Sequence, residues 1–311
     1  MSTLHLPSHF ITPLLPYLPP NAASPSQSHP SQPHPPSGTL PHLTLTYATS
    51  LDSTLSLSPS AQTVLSGPLS KAMTHYLRSV HDAILVGVGT AIADDPGLNS
   101  RIAKEATEPV RQPRPIILDP RARWQVTAES RVIRTAREGK GLGPWVLVAA
   151  PGVYDIVMRG VVESVGGAVI GLPPRRGEVG GGGRCSWRDI LAGLGERGVG
   201  SVMVEGGAGV INGVLADMGE DDDSDLTTGT TTTTTTAGEE GWWKGERRRE
   251  MLVKSVIVTI APVFLGKGGA VVAPPRAQGE EDREVLRLEG VVWVPMDEDV
   301  VLCGKPKRRL K

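Results

Sequence analysis

The chain alternates short apolar runs with amphipathic segments, and this alternation limits the folds open to it. The apolar runs over 83–88 and 254–261 are rich in Val and Ile, which favours buried strands. Residues 68–80 instead place apolar side chains at i, i+3, i+4 and i+7, the spacing of a helix buried along one face. Strand–helix–strand repetition predicts an α/β protein with a mostly parallel sheet and helices on both faces. Because 291–294 and 299–303 follow as strands without a helix between them, we expect an antiparallel C-terminal edge.

The remaining elements of the predicted domain follow from the same patterns. The predicted strands cover 43–50, 115–118, 145–149, 168–171 and 201–204, and the predicted helices cover 154–165, 186–197 and 208–218. Predicted strands and helices therefore extend from residue 43 to residue 303, and we expect one folded domain over 41–311.

Two compositionally biased stretches lie outside this pattern. Residues 1–40 are rich in Pro and Ser and contain no Lys or Arg, so we expect a disordered tail without a secretory or mitochondrial leader. We also expect activity to be nearly unchanged when this tail is deleted. Residues at about 219–250 combine an acidic run, a threonine run and an arginine run, which predicts a low-complexity insertion that cannot pack.

Composition excludes several classes of protein. A formal net charge of −1 over 311 residues argues against a protein that binds nucleic acid through bulk positive charge. No apolar run approaches the roughly 20 residues that a membrane-spanning helix needs. Cys185 and Cys303 are too few for a disulfide framework or a four-ligand zinc site, so we expect no metal. The sequence predicts a soluble, cytoplasmic protein without nucleic-acid or membrane partners.

Two glycine-containing turns follow predicted buried strands. The strand over 201–204 runs into Glu205 and then the small residues 206–209, which open a helix. Glycines at such a turn let a ligand approach the backbone, and the helix N-terminus favours a phosphate. The strand over 83–88 runs into a second turn that carries Thr90 and Asp94. Because ligands of open parallel sheets bind at the carboxyl ends of the strands, the two turns together predict one nucleotide site. A tight turn without a ligand remains an alternative for each.

A third polar segment, 46–54, carries Asp52 after the first strand. Its carboxylate could bind substrate hydroxyls or could form an Asx-turn. His75 and His81 lie on or beside the helix over 68–80, and a capping or surface role is expected for both. The chain has no G-x-S-x-G elbow, no Walker loop and no H-x-E with P-C-x-x-C signature, so hydrolase, P-loop and zinc-deaminase chemistry are not expected.

Together these segments resemble the reductase of riboflavin biosynthesis, which forms the C-terminal half of the bacterial bifunctional deaminase–reductase and also occurs as free-standing fungal and archaeal enzymes. The matching stretches are TYATSLDSTLSL, SGPLSKAMTHYLRSVHDAILVGVGTAIADDPGLNSR, PRPIILDPRARW, SVMVEGGAGVINGVL and VIVTIAPVFLGKGG. They span nearly the whole core in order. Because the deaminase signature is absent, the chain is similar to the single-activity fungal form.

The resemblance implies a dihydrofolate-reductase-like fold, a homodimer and NADPH as the cofactor. It implies reduction of 2,5-diamino-6-ribosylamino-4(3H)-pyrimidinone 5′-phosphate to its ribitylamino counterpart, with hydride transferred to C1′ of the ribose. Carried over by position, the cofactor-binding residues are Thr90, Asp94, Ile170, Glu205, Gly206, Gly207, Ala208 and Gly209. The substrate-binding residues are Asp52, Asn99 and Arg101, and Asp52 and Glu205 are the residues expected in catalysis. Arg101 is the natural partner of the phosphate by charge and fork geometry.

One departure from the family pattern bears on the chemistry. Bacterial members read S-x-D-G-K where this chain reads Ser50-Leu51-Asp52-Ser53-Thr54. Thr54 cannot replace a lysine that helps protonation or binding, so the proton would come from water or from Asp52. Two alternatives stay open: a pterin or folate reductase of the same fold, for which Arg101 would have no phosphate to bind, and a catalytically silent NADPH-binding relative.

Overall fold

The computed structural model describes residues 3–20, 39–58, 63–103, 110–149, 154–172, 186–218, 251–273 and 286–307. The strands in these ranges are β1 His42–Thr49, β2 Thr54–Ser56, β3 Ala83–Gly87, β4 Arg114–Leu118, β5 Trp145–Val148, β6 Ala168–Gly171, β7 Ser201–Gly206, β8 Val253–Ile260, β9 Ala270–Val271, β10 Leu288–Met296 and β11 Asp299–Pro306. The helices are α1 Ser8–Ile11, a 3₁₀ helix Thr12–Tyr17, α2 Pro68–Val80, α3 Val88–Asp94, α4 Arg131–Arg137, α5 Ile156–Glu163, α6 Trp187–Gly195 and α7 Ala208–Asp217.

Nine of the described strands form one mixed sheet in the order β10-β11-β8-β1-β7-β3-β4-β5-β6. The seven strands from β8 to β6 are parallel, and β11 and β10 add antiparallel pairs at the C-terminal edge. The predicted α/β class, the mostly parallel sheet and the antiparallel edge are therefore confirmed. The carboxyl ends of β1, β7 and β3, which are neighbours in the sheet, lie along one edge.

Alternate residues of the central strands pack on opposite faces of the sheet, as strand geometry requires. Ala83 and Leu85 of β3 belong to a core formed with α6 and α7, whereas Ile84 and Val86 pack on the other face. Helices therefore cover both faces, as expected. The predicted stripe of α2 is also confirmed, because its apolar residues Ala72, Met73 and Leu77 are buried.

The N-terminal segment is folded, so the prediction of a disordered tail over 1–40 is wrong for residues 3–20, here named the N-terminal arm. In the arm, α1 runs into the 3₁₀ helix, and four side chains are at most 6% exposed: Leu6, Leu14, Tyr17 and Leu18. They pack in one cluster with Met73 and Leu77 of α2. The prolines of the arm are compatible with this packing, because short helical turns leave N–H groups unpaired at their start. Residues 21–38 lie outside the described residues.

Other predictions also fall outside the described residues. The insertion expected at about 219–250 is one of them, and Cys185 is another. Cys303 is a buried free thiol on β11. Among the described helices, none is both long and apolar enough to cross a membrane.

Replacement of Leu14 by Ala tests whether the arm packs on the domain in solution. We expect Leu14→Ala to lower the free energy of unfolding by about 2–4 kcal/mol, because it empties a fully buried site. The adjacent Leu15 is 48% exposed, so Leu15→Ala should change stability by less than about 0.5 kcal/mol. Urea denaturation measures both variants, and equal effects would show that the arm does not contribute to the core.

Candidate active site

The two glycine turns predicted from the sequence meet at the carboxyl ends of β3 and β7. The register pairs Val86 with Gly206 at this end of the two strands. A Cβ atom on Gly87 would lie 2.7 Å from Cγ2 of Val210, so only a glycine allows this approach of α7 to β3. A Cβ atom on Gly207 would lie 3.1 Å from Oγ1 of Thr90. The structure thus brings both turns into one loop pair, as the nucleotide-site prediction requires.

The loop after β7 presents free backbone amides. Gly206 has a φ of +126°, which only glycine adopts readily, and the peptide bond between Gly206 and Gly207 is cis. Gly207 is the N-cap of α7, so the amides of Ala208 and Gly209 in the first turn have no partner within the helix. A Cβ atom on Gly209 would meet nothing within 4 Å, so there is open space beside the first turn of α7. Such an arrangement favours a phosphate group.

The two acids at the C-terminal end of α3, Asp94 and Asp95, have different surroundings. Asp95 is the left-handed C-cap of α3, with a φ of +40°, and its Oδ1 accepts a hydrogen bond of 2.9 Å from the backbone N–H of Arg131. Within the described part of the chain, the Asp94 carboxylate has no hydrogen bond or ion pair. Partial burial raises the pKa of Asp94. Asp95 therefore connects α3 to α4, and Asp94 is the acid that is free to bind a ligand.

Ile170 does not lie beside the glycine turns. It is on β6, at the edge of the sheet, where its register partner is Leu147 of β5. Three strand spacings of about 4.8 Å separate β6 from β3, so the two positions are roughly 14 Å apart. A ligand that contacts both would have to extend across the carboxyl ends of β3, β4 and β5.

Glu205 forms a bidentate ion pair with Arg78 of α2. Nε of Arg78 donates to Oε1 of Glu205 at 2.7 Å, and Nη2 donates to Oε2 at 2.6 Å. Both side chains are largely buried, with 15% and 16% of their surface exposed. The remaining Nη1 of Arg78 donates to the backbone oxygen of Asn99 at 3.1 Å. Arg78 thus joins the end of β7 to the segment that carries the predicted substrate residues.

The predicted substrate residues Asn99 and Arg101 lie close together in this segment but have different contacts. The side-chain amide of Asn99 donates to the backbone oxygen of Lys140 at 3.0 Å, which ties the segment to the loop after α4. The guanidinium of Arg101 lies against the ring of His75, with Nη2 2.9 Å from Nε2. Burial, and then the charges of Arg78 and Arg131, lower the pKa of Arg101. Arg101 therefore lies in a positive region, and a bound anion would relieve the repulsion between these charges.

His75 is buried rather than on the surface, contrary to expectation. Its side chain is 4% exposed, and its Nδ1 accepts the backbone N–H of Arg101 at 3.1 Å. Burial, and then the charges of Arg78 and Arg101, lower the pKa of His75 to about 3, so its ring is neutral at physiological pH. His81 is buried as well, and its ring contacts the backbone oxygen of Leu77 and the hydroxyl of Thr44. A surface role is therefore wrong for both histidines, but the capping role is confirmed for His81, which is the C-cap residue of α2.

Asp52 lies in the turn between β1 and β2, where its carboxylate holds the loop after β8. Its Oδ2 accepts the N–H of Gly266 at 2.7 Å, and its Oδ1 accepts the N–H of Leu265 at 3.2 Å and the hydroxyl of Ser50. The hydrogen bond from Ser50 is the main cause that lowers the pKa of Asp52. Asp52 is thus a carboxylate at neutral pH, and both of its oxygens accept hydrogen bonds from protein groups.

The two residues that depart from the bacterial pattern fit this turn locally. Ser53 has a φ of +60°, a left-handed conformation that the glycine of the S-x-D-G-K pattern adopts without strain. Thr54 is 2% exposed, and its N–H donates to Oγ of Ser50 at 3.0 Å. A Cβ atom on Gly269 would lie 2.5 Å from Cγ2 of Thr54, so β2 and the residue before β9 are in close contact. A buried threonine supplies no cationic group to the site.

Comparison with known proteins decides the family of the chain. A model of the RibD C-terminal domain matches residues 41–219, which is more than half of the sequence. The chain belongs to the RibD C-terminal domain family. The resemblance drawn from the sequence motifs is thereby confirmed, and the chain is a reductase.

Named relatives within the RibD family agree with this assignment. The 2,5-diamino-6-ribosylamino-4(3H)-pyrimidinone 5′-phosphate reductase of Debaryomyces hansenii is 36% identical over 268 residues, which cover 85% of this chain and 88% of the relative. The enzyme of the same name from Saccharomyces cerevisiae is 32% identical over 265 residues, with coverages of 85% and 86%. The structure of the riboflavin biosynthesis reductase Rib7 of Saccharomyces cerevisiae matches 96% of this chain and 99% of its own, with a TM-score of 0.62 and 29% identity. RibD of Acinetobacter baumannii, at 19% identity and a TM-score of 0.58, shows the same fold over 86% of this chain and 59% of its own.

Near the site of this RibD-family chain, the sequence analysis missed Arg78 and assigned His75 only a capping or surface role. A signal was present, because Lys71, His75 and Arg78 follow the spacing i, i+4 and i+7. That spacing places three basic residues on one face of α2, next to the buried stripe. The pattern predicts which face of α2 carries these residues, but it does not predict the partner of Arg78, because Glu205 is 127 residues away in the sequence.

Replacement of Glu205 by Gln tests the ion pair. We expect Glu205→Gln to lower the free energy of unfolding by about 1–3 kcal/mol and kcat/KM at least tenfold, because the guanidinium of Arg78 loses a charged bidentate partner. The matched control is Glu163→Gln on α5, where the pair with Arg159 is 4.0 Å long and exposed, and it should have little effect on either quantity. Full activity and stability in Glu205→Gln would contradict a role for the pair.

Proposed function

We propose that the protein catalyses the NADPH-dependent reduction of 2,5-diamino-6-ribosylamino-4(3H)-pyrimidinone 5′-phosphate to the ribitylamino product. The observation that carries this proposal is the juxtaposition of two unlike regions. One is the open glycine loop pair at Gly87 and Gly207, and the other is the positive region around Arg101. The relatives from Debaryomyces hansenii and Saccharomyces cerevisiae, which match most of this chain, bear the name of this activity.

The residues of the glycine loop pair fit a dinucleotide cofactor. Side chains at Gly87 or Gly207 would fill the space between the loops, and the open space beside Gly209 leaves room for a pyrophosphate at the first turn of α7. The amides of Ala208 and Gly209 would donate to its oxygens, and Thr90 and Asp94 would contact the cofactor from α3. NADPH supplies a hydride when it is bound. We assign Ile170 to the far end of the same ligand, because it lies at the carboxyl end of β6.

The positive region fits the 5′-phosphate of the substrate. Arg101 offers a forked set of donors, and its charge repels those of Arg78 and Arg131 until an anion binds. Arg78 cannot leave its place readily, since Glu205 takes two of its donors and Asn99 a third. We propose that the phosphate binds at Arg101 and that Glu205 acts in catalysis by holding Arg78 in position.

The reaction needs one hydride at C1′ of the ribose and one proton overall. Opening of the ribose ring moves a proton equivalent from the glycosidic nitrogen to the ring oxygen and leaves a C1′=N bond. The hydride then adds to C1′, and a proton returns to the nitrogen. Asp52 is a poor donor for that proton, because hydrogen bonds from Ser50, Gly266 and Leu265 stabilise its ionised form. We therefore assign the proton to water and give Asp52 the role of fixing the loop after β8 beside the substrate.

We also propose that the protein is a homodimer that pairs through β10. This strand is at the edge of the sheet, and the five consecutive residues 289–293 are exposed. Three of them are apolar: Val291, Val292 and Trp293, with Trp293 55% exposed. An exposed apolar edge strand is open to pairing with another copy. Sedimentation equilibrium would give twice the mass of 32.9 kDa for a dimer.

The reaction itself is tested by the absorbance of NADPH at about 340 nm with the enzymatically prepared ribosylaminopyrimidine phosphate, together with the mass of the product. Consumption of NADPH with a gain of two mass units, the mass of one hydride and one proton, is the expected result. Turnover of a pterin or folate in place of this substrate would favour the first alternative function. Binding of NADPH without turnover of either would favour a catalytically silent relative.

Replacement of Arg101 by Gln tests the phosphate site. We expect the KM of the phosphorylated substrate to rise about tenfold to a hundredfold, since a charged hydrogen bond is lost, whereas the KM of NADPH should stay the same. The control Arg134→Gln removes an exposed charge on α4 and should change neither value. If Arg101→Gln binds the phosphorylated substrate normally, the phosphate lies elsewhere.

Replacement of Gly209 by Asp tests the cofactor site. The position is open and lies in the first turn of α7, where an acid favours the helix, so the variant should fold with unchanged or higher stability. Its negative charge would oppose a pyrophosphate at the same amides, so we expect the Kd of NADPH to rise at least about tenfold. The uncharged control Gly209→Ala should bind NADPH normally. Equal affinities in Gly209→Asp and Gly209→Ala would place the pyrophosphate elsewhere.

A further inference from the structure

We infer that the N-terminal arm is a positioning element of the substrate site, in which the backbone of Leu4 holds Arg101 in place. The inference rests on the proposed phosphate role of Arg101. It reverses the expectation that the first 40 residues are a passive tail, and it gives the arm a role in substrate binding beyond its contribution to the core.

The contacts that support this inference are backbone hydrogen bonds on both sides of Ile102. The N–H of Leu4 donates to the oxygen of Arg101 at 3.0 Å, and the N–H of Ala103 donates to the oxygen of Leu4 at 2.6 Å. Leu4 and Ile102 thus form an isolated parallel bridge. Because residues 99–103 belong to no helix or extended strand, their conformation depends on contacts of this kind.

The opposite side of the same segment is held by α2. The hydroxyl of Ser100 donates to the backbone oxygen of His75 at 2.6 Å, and the N–H of Arg101 donates to Nδ1 of His75 at 3.1 Å. The N–H of Arg101 is therefore bound to α2 while its C=O is bound to the arm. With both groups of this peptide backbone fixed, the start of the Arg101 side chain is fixed as well.

The arm can act in this way because the domain core fixes its position. The buried side chains of Leu6, Leu14 and Tyr17 anchor it in the same cluster as Ile102, which is 6% exposed. Leu4 itself is only partly buried, so its backbone bonds can be removed while these anchors stay in place. Binding of phosphate at Arg101 and docking of Leu4 should consequently favour each other, since coupling between two sites is reciprocal.

A proline at residue 4 removes the donor to Arg101 and leaves the buried anchors intact. We expect Leu4→Pro to raise the KM of the phosphorylated substrate about fivefold, the value of one hydrogen bond, with kcat and the KM of NADPH unchanged. The matched control Leu4→Ala shortens the side chain and keeps both backbone bonds, so its KM should equal that of the wild type. Equal KM values in Leu4→Pro and Leu4→Ala would overturn the inference, and so would parallel changes for both ligands in Leu4→Pro, which indicate a general loss of structure.

A second measurement on the unaltered protein does not depend on turnover. Saturating inorganic phosphate should slow hydrogen exchange at the amides of Leu4 and Ala103 about fivefold or more, and it should not do so in Arg101→Gln. Unchanged exchange in the wild type would overturn the inference even if Leu4→Pro does not fold. A protein that shows this protection but does not reduce the pyrimidinone phosphate would contradict the proposed function alone.

Discussion

The bidentate ion pair between Arg78 and Glu205 is the interaction on which the arrangement of the site depends. It joins a helix to the end of a central strand, and the third donor group of Arg78 extends the connection to the backbone of Asn99. A guanidinium with so little exposure would be strongly destabilising without a charged partner. Since Glu205 meets that need with both of its oxygens, its first role is to hold Arg78, and the positive region around Arg101 follows from that position.

Under the proposed function, the two halves of the site would bind the cofactor and the substrate by different physical means. In the glycine loop pair the absence of side chains at Gly87 and Gly207 lets two loops approach, and the first backbone amides of α7 have no partner within the helix. In the positive region, long side chains supply charge, and burial, followed by the charges of Arg78 and Arg131, lowers the pKa of Arg101. The first half would select its ligand through shape and backbone dipoles, and the second through charge. The N-terminal arm and α2 hold the second half from opposite sides.

Local patterns predicted most of the fold. Strands such as β3 and β8 and the helix α2 were found because their periodicity reflects burial directly, and burial is what the structure shows for them. The helices α3 and α4 were missed because each has only seven residues, too few for a clear period. The arm was missed for another reason. Its Pro-rich composition is typical of disorder, and its apolar residues gain stability by packing against α2 and strands such as β8 and β11, which follow far along the chain.

The sequence by itself determined the α/β class, the positions of the glycine turns and the family, because each of these depends on residues that are near one another in the chain. Tertiary structure alone decided which of the predicted site residues remain available to a ligand. Asp94 has no protein partner within the described residues, whereas the oxygens of Glu205 and Asp52 are bound to Arg78 and to the loop after β8. Arg78, Leu265 and Gly266, which hold these oxygens, lie more than 100 residues from the acids in the sequence, so no local pattern predicts the contacts.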